Sequence, residues 1–316
     1  MGQLPIYTLY YANPLPVNPA FTGSMHKLRA GVGFRAQWTN FVAPLTAYSV
    51  YGDNFFAGIN SGIGFSAYTD AAGNTNYRTT QYALYYSYTT KLQDYVYLKA
   101  GAQISVTQTG FESGNLTFND QLTYTGSTGT GTSETLPMGS KKIYPNVTGG
   151  ILLTAHSFWV GASGYNLLTP KSGYTDQSKL PIGFGVQAGA KIQINENTVG
   201  RKIEKRERFV MPNAMMTVIG PSKLLYVGTE VVYDPFCFGA MVRGDFFSAA
   251  EGSSNIRSLA LTFGIRTGYV QSNYVYEIPL SSKASLLGPS HEISVRTALK
   301  MWQRASRKPP KRLDLF

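Results

Sequence analysis

The chain has 316 residues, of which 43% are hydrophobic and only 14% charged, with 22 Tyr, 17 Phe and 33 Gly. Soluble domains carry roughly 25% charged residues, so this composition points away from an ordinary globular protein. No apolar run reaches the 18 or so residues of a membrane-spanning helix, and the one cysteine, Cys237, excludes an intrachain disulfide or a cysteine-built metal site. The net charge of +11 leaves solvated loops, nucleic acid, anionic lipid and an acidic protein as open explanations.

Taken in chain order, residues 4–24 read LPIYTLYYANPLPVNPAFTGS. Proline fixes φ and removes a backbone donor, so this stretch is expected to be extended and irregular. A disordered leader is the plain reading, but the aromatic content argues against it. The expectation is a segment, residues 1–25, packed inside a barrel or across its periplasmic mouth.

Alternation with a period of two then recurs from about residue 27 to 302. Its first run is Leu28, Ala30, Val32, Phe34, Ala36 and Trp38, with Arg29, Gly31, Gly33, Arg35 and Gln37 between. Further strands are expected over about 45–51, 56–68 (Ala57, Ile59, Ile63, Phe65 and Ala67 on one face), 77–90 (Tyr82, Leu84, Tyr86, Tyr88) and 95–108. Nine more follow at 144–155, 157–167, 182–194, 209–219, 223–233, 236–247, 257–271, 273–280 and 290–302. Low charge, many aromatics and strands with one apolar face predict an all-β fold. That fold is an outer-membrane β-barrel of about fourteen antiparallel strands, since a barrel presents only every second side chain to lipid. The barrel spans residues 26–302, and residues 303–316 form a basic tail. An outer-membrane protein is exported, so a leader removed or omitted ahead of Met1 is expected.

Such barrels have short periplasmic turns and longer outer loops. Lys91-Leu92-Gln93-Asp94, His156-Ser157, Asp234-Pro235 and Gln271-Ser272-Asn273 read as periplasmic turns. Loops at 70–76, 110–142, 170–180, 248–255 and 281–289 read as outer. An even strand number then places both termini in the periplasm. Two basic clusters fall on that side. Arg201, Lys202, Lys205, Arg206 and Arg208 lie in a long connection; Arg304, Arg307, Lys308, Lys311 and Arg312 lie in the tail. They are either solvated charges or a dock for an acidic periplasmic partner or anionic lipid. Nucleic acid is not an expected partner there, whereas outer-membrane lipid is. Phe118 and Tyr124 of the 110–142 loop are candidate contacts for an exported protein.

Catalytic chemistry is not evident. His26, His156 and His291 fall at different ends of the expected barrel, too far apart for one metal. Gly161-Ala162-Ser163-Gly164-Tyr165 lacks the glycine spacing of a nucleophile elbow. No cofactor, metal site or catalytic residue is expected, and the protein reads as non-enzymatic.

Several short motifs occur in a distinctive order. Asn13-Pro14 and Asn18-Pro19-Ala20-Phe21-Thr22-Gly23 come first, then Arg35-Ala36-Gln37-Trp38, Ala43-Pro44, Thr46-Ala47-Tyr48, and Gly62-Ile63-Gly64-Phe65 with Asp70 and Gly73. Phe158-Trp159-Val160-Gly161-Ala162-Ser163, Pro235-Phe236 with Gly239 and Arg243-Gly244, and Ser290-His291-Glu292-Ile293-Ser294 follow. In these the chain resembles the PorP/SprF family of outer-membrane proteins of the Bacteroidetes type IX secretion system, with Asn13, Pro14, Asn18, Pro19, Phe21 and Gly23 as its opening signature. The tail KPPKRLDLF is similar to the basic tails of some members but has no cysteine near its end, so no role of such a cysteine carries over. The resemblance implies a part in protein export, gliding motility or surface attachment. Its partners would be a PorK/PorN-like periplasmic ring or a secreted adhesin with a type B C-terminal domain. The alternative is a porin or hydrophobic-solute channel; a porin needs an open lumen lined with charge. Charge is scarce on the expected strands, which favours a plugged or collapsed lumen.

Overall fold

In the computed structural model the described residues are 7–25, 27–41, 43–72, 77–111, 122–123, 126–127, 141–173, 178–194, 208–245, 256–281 and 285–299. They form fourteen long strands: β1 (Leu28–Gln37), β2 (Leu45–Phe56), β3 (Ser61–Ala72), β4 (Tyr77–Gln93), β5 (Val96–Phe111), β6 (Lys142–Ala155) and β7 (Phe158–Tyr165), then β8 (Gly183–Ala190), β9 (Arg208–Ile219), β10 (Ser222–Tyr233), β11 (Phe236–Gly244), β12 (Ile256–Thr267), β13 (Val270–Pro279) and β14 (Ser290–Leu299). A two-residue piece, Ile192–Gln193, extends β8 against β9. Each strand pairs antiparallel with the next, β8 joins β9 through Gly183↔Ile219, and β14 returns to β1 through Val32↔Val295. The sheet is thereby closed, leaving no edge of unpaired backbone groups for the bilayer to solvate.

The alternation has its physical origin in this closure. On β4, Tyr82, Leu84, Tyr86 and Tyr88 are exposed, while Ala83, Tyr85 and Ser87 between them are buried. Exposed apolar side chains recur around the ring, among them Phe65, Ile104, Ile151, Phe184, Val227, Phe238, Leu261 and Ile293. A continuous apolar girdle of this extent is incompatible with water and fits lipid. The chain is an integral outer-membrane barrel.

Turn lengths sort by end with two exceptions, the tight Gly220-Pro221 connection among the long loops and the long 194–207 connection among the tight turns. Asp94-Tyr95, His156-Ser157, Asp234-Pro235 and Gly268-Tyr269 close one end tightly. Residues 38–44, 112–141, 166–182, 245–255 and 280–289 connect strands at the other end. Leu28 and Leu299, paired with one another, lie at the tight-turn end.

Three expectations are corrected. The turn predicted at Gln271-Ser272-Asn273 lies at Gly268-Tyr269, where Gly268 takes φ +56°. Gln271 and Asn273 instead belong to β13 and are buried, with Gln271 Nε2 donating to Glu230 Oε1 at 3.1 Å. The third strand begins at Ser61, after a 3-10 turn over Ala57–Ile59 that ends on Asn60 at φ +51°. Asn tolerates that left-handed backbone, so Ala57 and Ile59 are not on the strand. Arg208 is the first residue of β9 rather than part of the connection, and its guanidinium lies over the Tyr233 ring, 4.3 Å from the centroid.

Candidate functional site

The buried face of the closed sheet meets residues 7–25, which are themselves buried almost throughout. The local fold of this segment follows from its prolines. The Pro14 carbonyl accepts from the Val17 and Asn18 amides, and with Tyr10 N to Thr8 O, Ala12 N to Leu9 O and Ser24 N to Phe21 O the segment is a run of turns, which corrects the extended path expected of it. Asn18 then caps the 3-10 turn Pro19–Phe21, its Oδ1 accepting from Ala20 N at 2.9 Å, with proline in the position that needs no amide hydrogen.

Asn18 is wholly buried, and its Nδ2 lies 3.0 Å from Ile151 O, 3.2 Å from Ala162 O and 3.1 Å from Gln187 Oε1. Those partners stand on β6, β7 and β8. The approach needs glycine: a Cβ on Gly150 would fall 2.1 Å from Asn18 Oδ1, and one on Gly161 2.9 Å from Asn18 Nδ2. Likewise a Cβ on Gly101 would meet Ala20 N at 2.4 Å, and one on Gly62 would meet Thr22 O at 2.5 Å. Four strands thus give up a side chain where Asn18–Thr22 lies against them.

Next along the chain, Thr22 O accepts from Ser87 Oγ at 2.7 Å and from Lys99 Nζ at 2.8 Å. Gly23 takes φ +65°, and its amide donates to Asp53 Oδ2 at 2.6 Å. Asp53 also receives Arg29 through Nε at 2.7 Å and Nη2 at 3.0 Å, a forked pair that is almost fully buried.

Toward its N-terminal end the segment meets a cluster of four charges. Arg35 Nη2 is 2.6 Å and Arg243 Nη2 is 2.6 Å from the two oxygens of Glu277, and Arg35 Nη1 is 3.3 Å from Glu292. Thr8 sits among them. Its hydroxyl donates to Glu277 Oε2 at 2.9 Å and accepts from Arg35 Nη1. The Thr8 amide donates to Glu292 Oε2 at 2.8 Å and the Leu9 amide to Glu292 Oε1 at 3.4 Å. Two guanidinium groups and two carboxylates sum to zero, which permits burial at a cost that their mutual bonds offset. Tyr10 donates to Asn213 Oδ1 at 2.7 Å and meets Tyr226 edge-on; burial pushes its hydroxyl far above the ordinary tyrosine range, keeping it a donor. A remaining cavity, lined by Tyr7, Ala12, Asn13, Tyr51, Ser294 and Arg296, has room for about one water molecule.

The structure therefore gathers motif residues that are far apart in sequence. Arg35, Arg243 and Glu292 share one ion cluster, while Gly62, Gly161 and Ser163 touch the Val17–Gly23 stretch. Ser163, the nearest serine to a nucleophile motif, donates to Val17 O at 3.0 Å. Of the signature residues, Asn18, Pro19, Phe21 and Gly23 lie in these contacts; Asn13 and Pro14 are buried in the preceding turn. Arg29, Asp53, Lys99 and Glu277 were not singled out by the sequence. Arg29, Lys99 and Glu277 signalled only as charges on the inward face of an expected strand, and Asp53 fell between two expected strands; with Arg35, Glu230 and Glu292 also buried on strands, the expectation that charge is scarce there is corrected. His156 and His291 lie at opposite ends of the barrel. Arg201, Lys202, Lys205, Arg206, Arg304, Arg307, Lys308, Lys311, Arg312, Phe118, Tyr124 and His26 lie outside the described residues.

The profile of the family described as Type IX secretion system membrane protein PorP/SprF matches residues 1–297. The chain belongs to this family. No curated protein matches it in sequence. Solved structures similar to it include a TodX deletion mutant described as a monoaromatic hydrocarbon channel, 7% identical with a TM-score of 0.49 over 90% of this chain and 92% of that one. A Pseudomonas aeruginosa FadL homologue is 10% identical, with a TM-score of 0.47 over 90% and 92% of the two chains. CdiB from Acinetobacter baumannii is 6% identical, with a TM-score of 0.46 over 86% and 60%. At these scores the likeness is loose, and the barrel assignment stands on its own strand register. As a PorP/SprF protein the chain is an outer-membrane component of type IX secretion.

Proposed function

We propose that this protein is a plugged, non-enzymatic barrel that binds other parts of the secretion machinery rather than conducting solute. In this reading residues 7–25 fill the lumen, and the remainder of residues 1–25 belongs to the same unit. One observation carries it: the segment bonds to side chains or carbonyls on strands all round the ring, from Asp53 and Ser87 through Ile151, Gln187 and Asn213 to Glu277 and Glu292. A fourteen-strand barrel encloses more space than side chains alone fill, so a segment that size is what closes it. A porin or hydrophobic-solute channel would need that path open.

The tight-turn end is assigned to the periplasm, because short turns mark that side in such barrels. Both barrel ends of the chain, the 201–208 basic stretch and the basic tail 303–316 then face the periplasm. There they would dock an acidic partner, a PorK/PorN-like ring. The 110–142 loop, with Phe118 and Tyr124, would meet a secreted adhesin bearing a type B C-terminal domain at the outer end.

Planar-bilayer recording tests the plug. The full chain is expected to stay silent, and large stable openings would establish the porin instead. Charge reversal in both basic clusters, followed by gentle detergent purification, tests the dock. Ring components are expected to be lost, and unchanged recovery sinks that assignment.

A further inference from the structure

The plug is held in two chemically different ways. Residues 17–23 lie against strand glycines and carbonyls as well as Lys99 and Asp53, whereas the hydrogen bonds from Thr8 and Leu9 to the strands go to the charged side chains of Arg35, Glu277 and Glu292. Pro14 and Pro16 separate the two parts. Arg35 pairs with Glu292 near the Gln37 end of β1, the end that carries the long loops.

We propose that the Arg35–Glu277–Glu292 cluster, supported by Arg243, is a receptor for a bent peptide segment, occupied here by the chain's own Thr8-Leu9, where the Tyr10 amide donates back to Thr8 O at 3.0 Å. Resting on the plug reading, the proposal adds that a partner's segment takes the same place in trans. Glu292 accepts two successive amides, which selects a bent backbone without proline at those positions, because successive amides of an extended strand point to opposite sides. Arg35 donates to, and Glu277 accepts from, one small side chain. A hydroxyl does both through a single atom, which a larger carboxamide cannot. A carboxylate would be repelled by Glu277 and Glu292, and a methyl would leave Arg35 and Glu277 each short of a partner. Leu9, 1% exposed within the apolar cluster, sets the next position as apolar. The ligand class is therefore a Ser/Thr–apolar segment that turns at this pair and enters from the long-loop end.

The probe is a fluorescein-labelled peptide of residues 7–12, titrated into detergent-solubilised full-length protein. Thr8→Asp expels the resident segment by placing a third carboxylate beside Glu277 and Glu292. Deletion of residues 1–12 vacates the site by a second route. Heat-modifiable migration in SDS gels confirms a folded barrel in each. Removing an intramolecular competitor is expected to tighten peptide binding by about tenfold or more over the wild type. Adding Glu292→Gln, or replacing the peptide's threonine by valine, is expected to abolish that gain. The proposal is overturned if neither folded, vacated variant binds the peptide, or if the valine peptide binds equally well. The silent wild-type channel is a separate readout, so a failed peptide titration leaves the plug standing.

Discussion

Gly150→Ala is the sharpest test of the segment's seat. The new Cβ would stand 2.1 Å from Asn18 Oδ1 and 2.9 Å from its Cγ, so Asn18 must leave. Asn18 has little room to yield, since its amide reaches Ile151 O, Ala162 O and Gln187 Oε1 while Oδ1 holds Ala20 N. Nδ2 has two hydrogens to share among its three neighbours, so with the Oδ1 bond at most three bonds are lost, and at about 1 kcal/mol each displacement costs about 3 kcal/mol. Gly149→Ala is the control. It lies one residue away on the opposite face, and its nearest neighbour, Leu167 Cδ1, would be 3.7 Å from the new Cβ, an ordinary contact. The assay is urea titration of heat-modifiable migration, with bilayer conductance read in parallel. Gly150→Ala should unfold at clearly lower urea and show openings that Gly149→Ala lacks. Adding Asn18→Ala to Gly150→Ala should cost less than the sum of the two changes, because the second removes the clashing side chain. Equal stability and equal silence of the two glycine variants would refute the close-approach argument.

Asp53→Ala strips Arg29 of its forked partner while Arg29 stays buried, and also frees the Gly23 amide. The expected loss is about 3–5 kcal/mol by the same urea titration, most of it recovered when Arg29→Met is added. Leu84→Arg places a charge on the exposed face near the middle of β4 and should destabilise the barrel in liposomes by about 2–4 kcal/mol. A value near zero would mean that this face does not meet hydrocarbon.

What was legible in the sequence was whatever repeats locally. Lipid sees every second residue, so runs such as Tyr82, Leu84, Tyr86 and Tyr88 announce their strand, and all fourteen strands were found within a few residues. Boundaries failed where one residue type serves two purposes. Gln271-Ser272-Asn273 looks like a turn because amides and hydroxyls favour turns, yet Gln271 and Asn273 are polar because they face the buried side. Nor could spacing reveal the contacts of the site. Arg35, Arg243, Glu277 and Glu292 come from four strands, and only closure of β14 onto β1 brings them together. The glycines of β3, β5, β6 and β7 read as a small-residue face. That they make room for Asn18–Thr22 depends on the path of a segment with no periodicity at all.

The same contacts explain why the prolines and the strand charges belong to one design. Burying Arg29, Arg35, Asp53, Glu277 and Glu292 without partners would be prohibitive. Glu277 and Glu292 repel each other, and Arg35 and Arg243 do not satisfy all of their lone pairs; the Thr8 hydroxyl and two segment amides supply donors. Asp53 similarly keeps an oxygen for the Gly23 amide. A chain folded into separate short turns leaves amides such as those of Thr8, Leu9 and Gly23 free to donate outward, and proline keeps those turns from joining into a regular helix or strand. On the plug reading the segment is therefore no accessory placed in a finished barrel. It completes the hydrogen bonding of the barrel's interior, and residues that look like pore-lining charge are the seats of a chain that closes the pore.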